Sequence, residues 1–550
     1  MDESSDNQPA IDLAELGHEY VMLSKIFKRL QSIEDAITIL KRHAEIRRLF
    51  DQWTTDTQSQ VRTTNSSRME QLCHWVPKFQ LWDRRFYKAV FGSPLIDELE
   101  KRLGHSQIQS WAQKQKLIHK DSVDLVQQEL KLVGHYDRLV GGAEVTYKDK
   151  TIPLRSLQAI IEGPVRNNRR TALHTYWNWF EENGPELDET YQSLLAIRTD
   201  LAHNLGWKSV SEFMYARYER TTYHAGEIGH FRNALREILS PILEDISNRQ
   251  HQLLSLDTLQ PWDVGAYHPQ GNPLPVETKG WLWNRAQEIF PKVSSRFDSF
   301  FQSTHLDIHI APDAHPSIES HGKLSDTHLH ITMNTEGTMG DITALSNLMV
   351  EMLVQRVAQN SPYGVHISPD RAHILKKIMA ILCLPHIEFL FPDEAERFRL
   401  TYLLRELKTL NQRLMQDHFE QLVYSKPNAS AGERNGMWNR VETLYDPKIN
   451  WGNLDCPAEG GAWQAQARLF THPFSGIGEA LAIPYGFQFF RFQQENPHRA
   501  QTRFEYLCDE SFGPKSTQSL LDIKSFQPLD IKVIETLISD TKRQAFSMMT

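Results

Sequence analysis

Apolar residues recur every three or four positions along most of this 550-residue chain, with charged residues between them. That is the period of helices that bury one face. Ser32-Ile-Glu-Asp35 has the form of an N-terminal cap, and behind it Ile39, Ile46, Phe50 and Trp53 fall at helical spacing. The pattern continues from Trp82 to Val140 in WDRRFYKAVF and DSVDLVQQELKLVGHYDRLV. Aromatic residues in such helices read as core. The run breaks at GGAEVTYKDKTIPL, where Val145 and Tyr147 alternate with polar residues and Ile152 and Leu154 resume after a turn, predicting a short hairpin near 143–154. Helical period then returns in RRTALHTYWNWFEE, LDETYQSLLAIRTDLAHNLGW and AGEIGHFRNALREILSPILEDISNRQHQLL, with Gly206 as a stop and Ser209 to Glu212 as a start. Residues 256–280, rich in Pro and Gly, form an ordered excursion or a connection between lobes.

A second β-like patch runs from His305 to Asn334 and holds His305, His309, His315, His321, His328 and His330. His305 and His309 would suit a shared metal only on a helix, whereas LDIHIA alternates as a strand does, which sets the two too far apart to share an ion. Solvated edge-strand histidines are therefore expected.

Composition narrows the function classes. With 40% hydrophobic and 23% charged residues the chain has ordinary globular material, and a net charge of −9 argues against a nucleic-acid surface. Cys73, Cys383, Cys456 and Cys508 show no C-x-x-C spacing and read as reduced thiols. The start, MDESSDNQPAID, has no signal-like basic and apolar regions, and no apolar run has membrane-spanning length. A cytoplasmic protein is expected, with no nucleic acid or membrane as partner. Neither a phosphate-cradling glycine motif nor a G-x-S-x-G elbow occurs. The carboxylates at Glu388, Asp393, Glu394 and Glu396 read as a solvated helix face.

The most informative stretch is 337–391. It reads as two amphipathic helices, 341–358 and 371–391, facing each other across a cleft: GTMGDITALSNLMVEMLVQRV, then RAHILKKIMAILCLPHIEFLF. In these segments, and along essentially its full length, the chain resembles the oligoendopeptidase F and thimet oligopeptidase family of zinc metallopeptidases. The resemblance implies a mainly α, two-lobed fold enclosing a deep channel, with a small sheet near 305–334. Its parts would be a disordered tail (1–10), an N-terminal helical lobe (11–200) and a peptidase-like lobe (201–550). It also places the family's two zinc-binding histidines at Asn347 and Glu351, its general base at Leu348 and its third ligand at Ile381, with Glu388 anchoring the register. In WQAQARLFTHPFSGIGEALAIPYGFQFF, the family's histidine position reads Arg468 and its tyrosine positions read Ser475, Gly476 and Glu479; His472 is a poor substitute by register.

The chemistry of these replacements sets the functional expectation. A catalytic zinc takes three N, O or S donors and an open position for water. Asn347 offers a weak neutral oxygen, Glu351 one carboxylate and Ile381 nothing, so zinc is expected to be absent. Leu348 has no lone pair with which to take a proton. The expected protein is a pseudopeptidase that has lost H-E-x-x-H and binds a peptide or a partner protein, including an active relative. Asn347, Glu351, Ile381, Arg468, His472, Glu479 and His330 are its candidate channel-lining residues. Arg468, Arg491 and Lys377 are candidates to recognise a carboxylate, against the reading that they form surface ion pairs. Two alternatives stay open: an enzyme reusing the cavity for metal-independent peptide modification or natural-product chemistry, marked by a buried acid–base pair among Glu351, Glu479, His472 and His386, and residual oligopeptidase activity.

Overall fold

The computed structural model describes residues 12–61, 66–275, 281–303, 305–311, 321–324, 328–334, 338–360, 367–510 and 530–548. The tail 1–10 and His315 lie outside the described residues. The molecule is mainly helical, as the periodicity predicts.

The first helices, Leu13–Phe27, Ile33–Val61 and Ser66–Phe91, close around their own apolar cluster, with Phe50 stacked on Phe79 at 3.6 Å and His43 on Phe86 at 4.0 Å. Ser32 caps the second of them by accepting from the Asp35 N–H at 3.4 Å. Within this cluster the Asp83 carboxylate accepts from Arg47 and from the Tyr20 hydroxyl, which is 2.6 Å from His43 Nε2. From Ile118 to Ala545 the chain shares a second, larger core.

The hairpin forms as expected: β1 (Glu144–Tyr147) pairs antiparallel with β2 (Lys150–Pro153), Val145 opposite Ile152. Lys148 and Asp149 both take positive φ, 48° and 63°, the two-residue turn that matches strand twist. RRTALHTYWNWFEE and LDETYQSLLAIRTDLAHN run together into one helix of 39 residues, Arg166–Asn204, straight through Pro185. Gly206, at φ +80°, ends the approach to the next helix, and Ser209 starts that helix by accepting from the Glu212 N–H. The excursion after Leu253 is ordered over its described part, to residue 275. Its buried Asp263 is gripped by Arg166 and Arg169, and Gln250 donates to the carbonyls of Asp263, Val264 and Ala266.

The histidine-rich patch is a three-stranded sheet ordered β3 (His305–Ala311), β5 (His328–Asn334), β4 (His321–Leu324), with β3 parallel and β4 antiparallel to β5. LDIHIA is thus a strand, as its alternation predicts. Next come the helices Met339–Asn360 and Pro369–Cys383, hereafter the first and second site helices. The second was expected to run from 371 to 391. It is α-helical only to Cys383 and tightens into a 3₁₀ segment, Leu384–Phe389, because Pro385 brings no N–H to continue the ladder. Two further long helices, Ala395–Ser425 and Gly476–Glu495, complete the surroundings of the site. Among the described residues no helix is long and apolar enough to cross a membrane.

Candidate functional site

The two site helices pack directly on each other rather than facing across open space. Their register is antiparallel: Ser346 meets the Cys383 thiol, which burial pushes up to about 12, and Glu351 pairs with Lys376. Asn347 therefore lies at the level of Ile381. Leu348 and Ile381 are buried, while the Glu351 side chain is 39% exposed. On its other side Ile381 backs onto helix Gly476–Glu495, where a Cβ on Gly486 would stand 3.3 Å from Ile381 Cγ1. Side-chain donors at these four positions reduce to an amide and one carboxylate already engaged by a lysine. They do not make the set a catalytic zinc takes.

A different assembly occupies the third segment. Glu479, in the first turn of helix Gly476–Glu495, is held by cations from three other helices. Lys377 Nζ, from the second site helix, lies 3.1 Å from Oε1. Arg413 Nε, from helix Ala395–Ser425, lies 2.7 Å from Oε2, and Arg468 Nη2 lies 3.1 Å from the same oxygen. Lys377 also donates to Glu406 at 2.9 Å. Glycines permit the close approach. A Cβ at Gly478 would stand 2.3 Å from Asp370 Oδ1, and one at Gly476 would stand 3.3 Å from Arg413 Cδ. The Ser475 hydroxyl is buried without a hydrogen-bond partner among the described residues.

Electrostatics follow from this crowding. Burial opposes ionisation of Glu479, but Lys377, Arg413 and Arg468 together hold its carboxyl well below the usual range. Burial raises Glu406 in spite of Lys377, so Glu406 is the first carboxyl of the cluster to take a proton on acidification. Burial, followed by Lys376, pushes His373 down to about 4, leaving a neutral imidazole beside the cluster at neutral pH.

The segment carrying Arg468 is clamped from beneath. Arg198, fully buried, donates to the carbonyls of Leu469 and Phe470 while its Nε pairs with Glu129 at 2.8 Å. Arg220 donates to the Phe474 carbonyl at 2.9 Å and pairs with Asp370, which also accepts from Tyr223. Glu420 accepts from the Phe474 N–H at 2.7 Å. These bonds hold Phe474 at φ +61°, a left-handed backbone that costs a bulky residue about 1–3 kcal/mol.

Solved structures carry the same architecture. PZ peptidase A with an inhibitor matches with a TM-score of 0.89 and 23% identity over 100% of both chains. A protein assigned as oligoendopeptidase F matches at 0.89 and 24%, over 100% of this chain and 99% of that one. Another, from Bacillus anthracis str. Ames, matches at 0.85 and 22% over 98% of each. The fold is that of oligoendopeptidase F. No family model matches the chain, and no curated protein matches it.

Within this oligoendopeptidase F fold, the site residues expected from sequence divide into three groups. Arg468, Glu479 and Lys377 come together, and the carboxylate they were candidates to recognise includes one of the chain's own. Asn347, Glu351 and Ile381 line the neighbouring helix pair, with Leu348 and Ile381 buried as packing residues. The rest take no part in the ion pairs of Lys377, Arg413 and Arg468 with Glu479: Arg491 pairs with Glu495 on the surface, exposed His472 shares a hydrogen bond with Thr471 and donates its backbone N–H to the Arg468 carbonyl, and half-buried His386 sits beside Glu388 and Lys292. Glu351, Glu479, His472 and His386 thus take different partners. His330 is in β5, and its side chain lies outside the description. Sequence reasoning missed Arg413, Glu406, Asp370 and Arg220. Their signal was faint: Lys377 precedes Ile381 by one helical turn, and Gly476 and Gly478 mark a face needing close approach. A separate groove of about 700 Å³, lined by Glu181, Glu189, Arg434 and Glu459 among others, involves none of the expected site residues.

Proposed function

We propose that this chain is a pseudopeptidase, a relative of the oligoendopeptidase F metallopeptidases that keeps their substrate site as a binding surface for a peptide or a partner protein, including a catalytically active relative. The Arg468–Glu479 ion pair carries the reading. At the two positions where the resemblance places a histidine and a tyrosine acting on the tetrahedral intermediate, an arginine and a carboxylate stand side by side. The Glu479 carboxylate would repel a developing oxyanion, and an arginine holds its proton too tightly to pass it on as a histidine does. The clamp on Phe474 supports a binding role, since strained backbone persists where surrounding contacts over-determine it.

The reading is tested by measuring zinc content, peptide hydrolysis and peptide binding on one preparation. Expected are less than stoichiometric zinc, no chelator-sensitive cleavage of a mixed oligopeptide library, and saturable binding in calorimetry. Chelator-sensitive cleavage, abolished together with bound zinc by Glu351→Ala, would overturn it.

A further inference from the structure

The charges around Glu479 do not balance. Three cations, Lys377, Arg413 and Arg468, converge on it, and its Oε2 serves two guanidiniums at once. Glu406 forms its ion pair with Lys377 and acts on Arg413 only from a distance. The next carboxyl facing Arg468 is Glu420, whose ionisation burial opposes and whose Oε1 already accepts from the Phe474 N–H. Among the described residues Arg468 is thus left with half the attention of one oxygen, through a single Nη2 contact. It is also the open member of the group: its side chain is 37% exposed, against 16% for Arg413, 12% for Lys377 and 13% for Glu479. Burial, and then the neighbouring Arg413, disfavour the charge on Arg468 despite Glu479, which is the condition of a cation short of an anion.

An arginine fork with free donors beside a second guanidinium is the arrangement that takes a carboxylate in two parallel hydrogen bonds. We infer that Arg468, backed by Arg413, is the docking point for a carboxylate of the bound peptide. Glu479 acts as an internal counter-ion that keeps the empty cluster soluble in the protein and limits how tightly an external anion is held. The inference rests on the peptide-binding reading and names the group by which the peptide is held. The carboxylate comes from the peptide's C-terminus or from an acidic side chain, and the two sources are separable.

The test uses the full chain and three probes in calorimetry: N-acetyl-Leu-Phe-Ala-Leu as the free acid, the same peptide as its C-terminal amide, and the amide of N-acetyl-Leu-Glu-Ala-Leu. Wild type should bind a carboxylate-bearing probe at least tenfold more tightly than the plain amide. A preference for the free acid assigns the site to a C-terminus, and a preference for the glutamate probe assigns it to a side chain. Arg468→Ala should erase the preference while leaving affinity for the plain amide within twofold. Arg468→Lys, which keeps the charge and loses the fork, should retain part of it. Glu479→Gln should enlarge the preference by removing the internal competitor, and Arg491→Ala should change nothing. Equal binding of all three probes by wild type overturns this inference and leaves the peptide-binding reading standing. A preference unchanged in a folded Arg468→Ala also overturns it. Absence of binding by any probe counts against the peptide reading and takes this inference with it.

Discussion

Two buried carboxylates in this molecule are each gripped by three side chains, yet they differ in kind. Asp83, in the first helical cluster, meets Arg47, Tyr20 and His43: one cation and two neutral groups. Burial opposes its ionisation but Arg47 and the hydrogen bonds hold it below its usual range, while burial pushes His43 down and keeps it neutral. The charges cancel. Glu479 meets three cations, one of them facing solvent. On the proposal above, charge balance rather than the number of hydrogen bonds separates a cluster that holds the fold from one that also binds a ligand.

That contrast can be broken at either end. The largest effect is expected from Asp83→Ala, which takes the charged acceptor from buried Tyr20 and one of two carboxylates from half-buried Arg47, and should cost about 3–4 kcal/mol in urea unfolding with peptide affinity unchanged per folded molecule. A loss below about 1 kcal/mol would remove the case that the Asp83 cluster is structural. Glu479→Gln should cost less, about 2–3 kcal/mol, since it weakens charged hydrogen bonds in a cluster partly reached by water. The pH dependence fixes its sign. The folded pKa of Glu479 is lowered, so its contribution is complete above the ordinary glutamate value of about 4.5 and is lost as pH falls through the folded value. The stability gap between wild type and Glu479→Gln should be flat from neutral pH to about 5 and narrow below that. A gap that widens in acid would mean that Glu479 is not the ionised partner.

Gly478→Ala should cost about 1–2 kcal/mol by driving a methyl group into Asp370, and thermal unfolding would register it. It also sharpens the contrast, because it perturbs the cluster without removing a charge. Smallest is Glu351→Gln, below about 1 kcal/mol, since the Lys376–Glu351 pair is partly exposed. A larger loss would make that pair part of the same unit as Glu479.

The helical architecture, the hairpin with its turn, and the starts at Ser32 and Ser209 were legible because each is written in local spacing. So were the positions of Arg468 and Glu479. Their pairing was not, because the partners of Glu479 lie on three other helices and are set by packing, to which periodicity is blind. Pro185 was equally misleading: neighbouring turns carry the helix through a residue that ordinarily ends one. Nothing in the local pattern marks Arg198 and Arg220 as buried. Their task, holding carbonyls some 250 residues away in the chain, exists only once the tertiary structure is formed.

Those long reaches set an order of events for the nascent chain. The cluster of the first helices joins segments near one another in sequence and can assemble early, whereas the bonds from Arg198 and Arg220 to residues 469–474 close loops of more than 250 residues. The backbone amide of Phe474, sealed by Glu420, should therefore be among the last to gain protection during refolding. In a pulse-labelling experiment it would serve as a clock hand marking the moment at which the whole chain has come together.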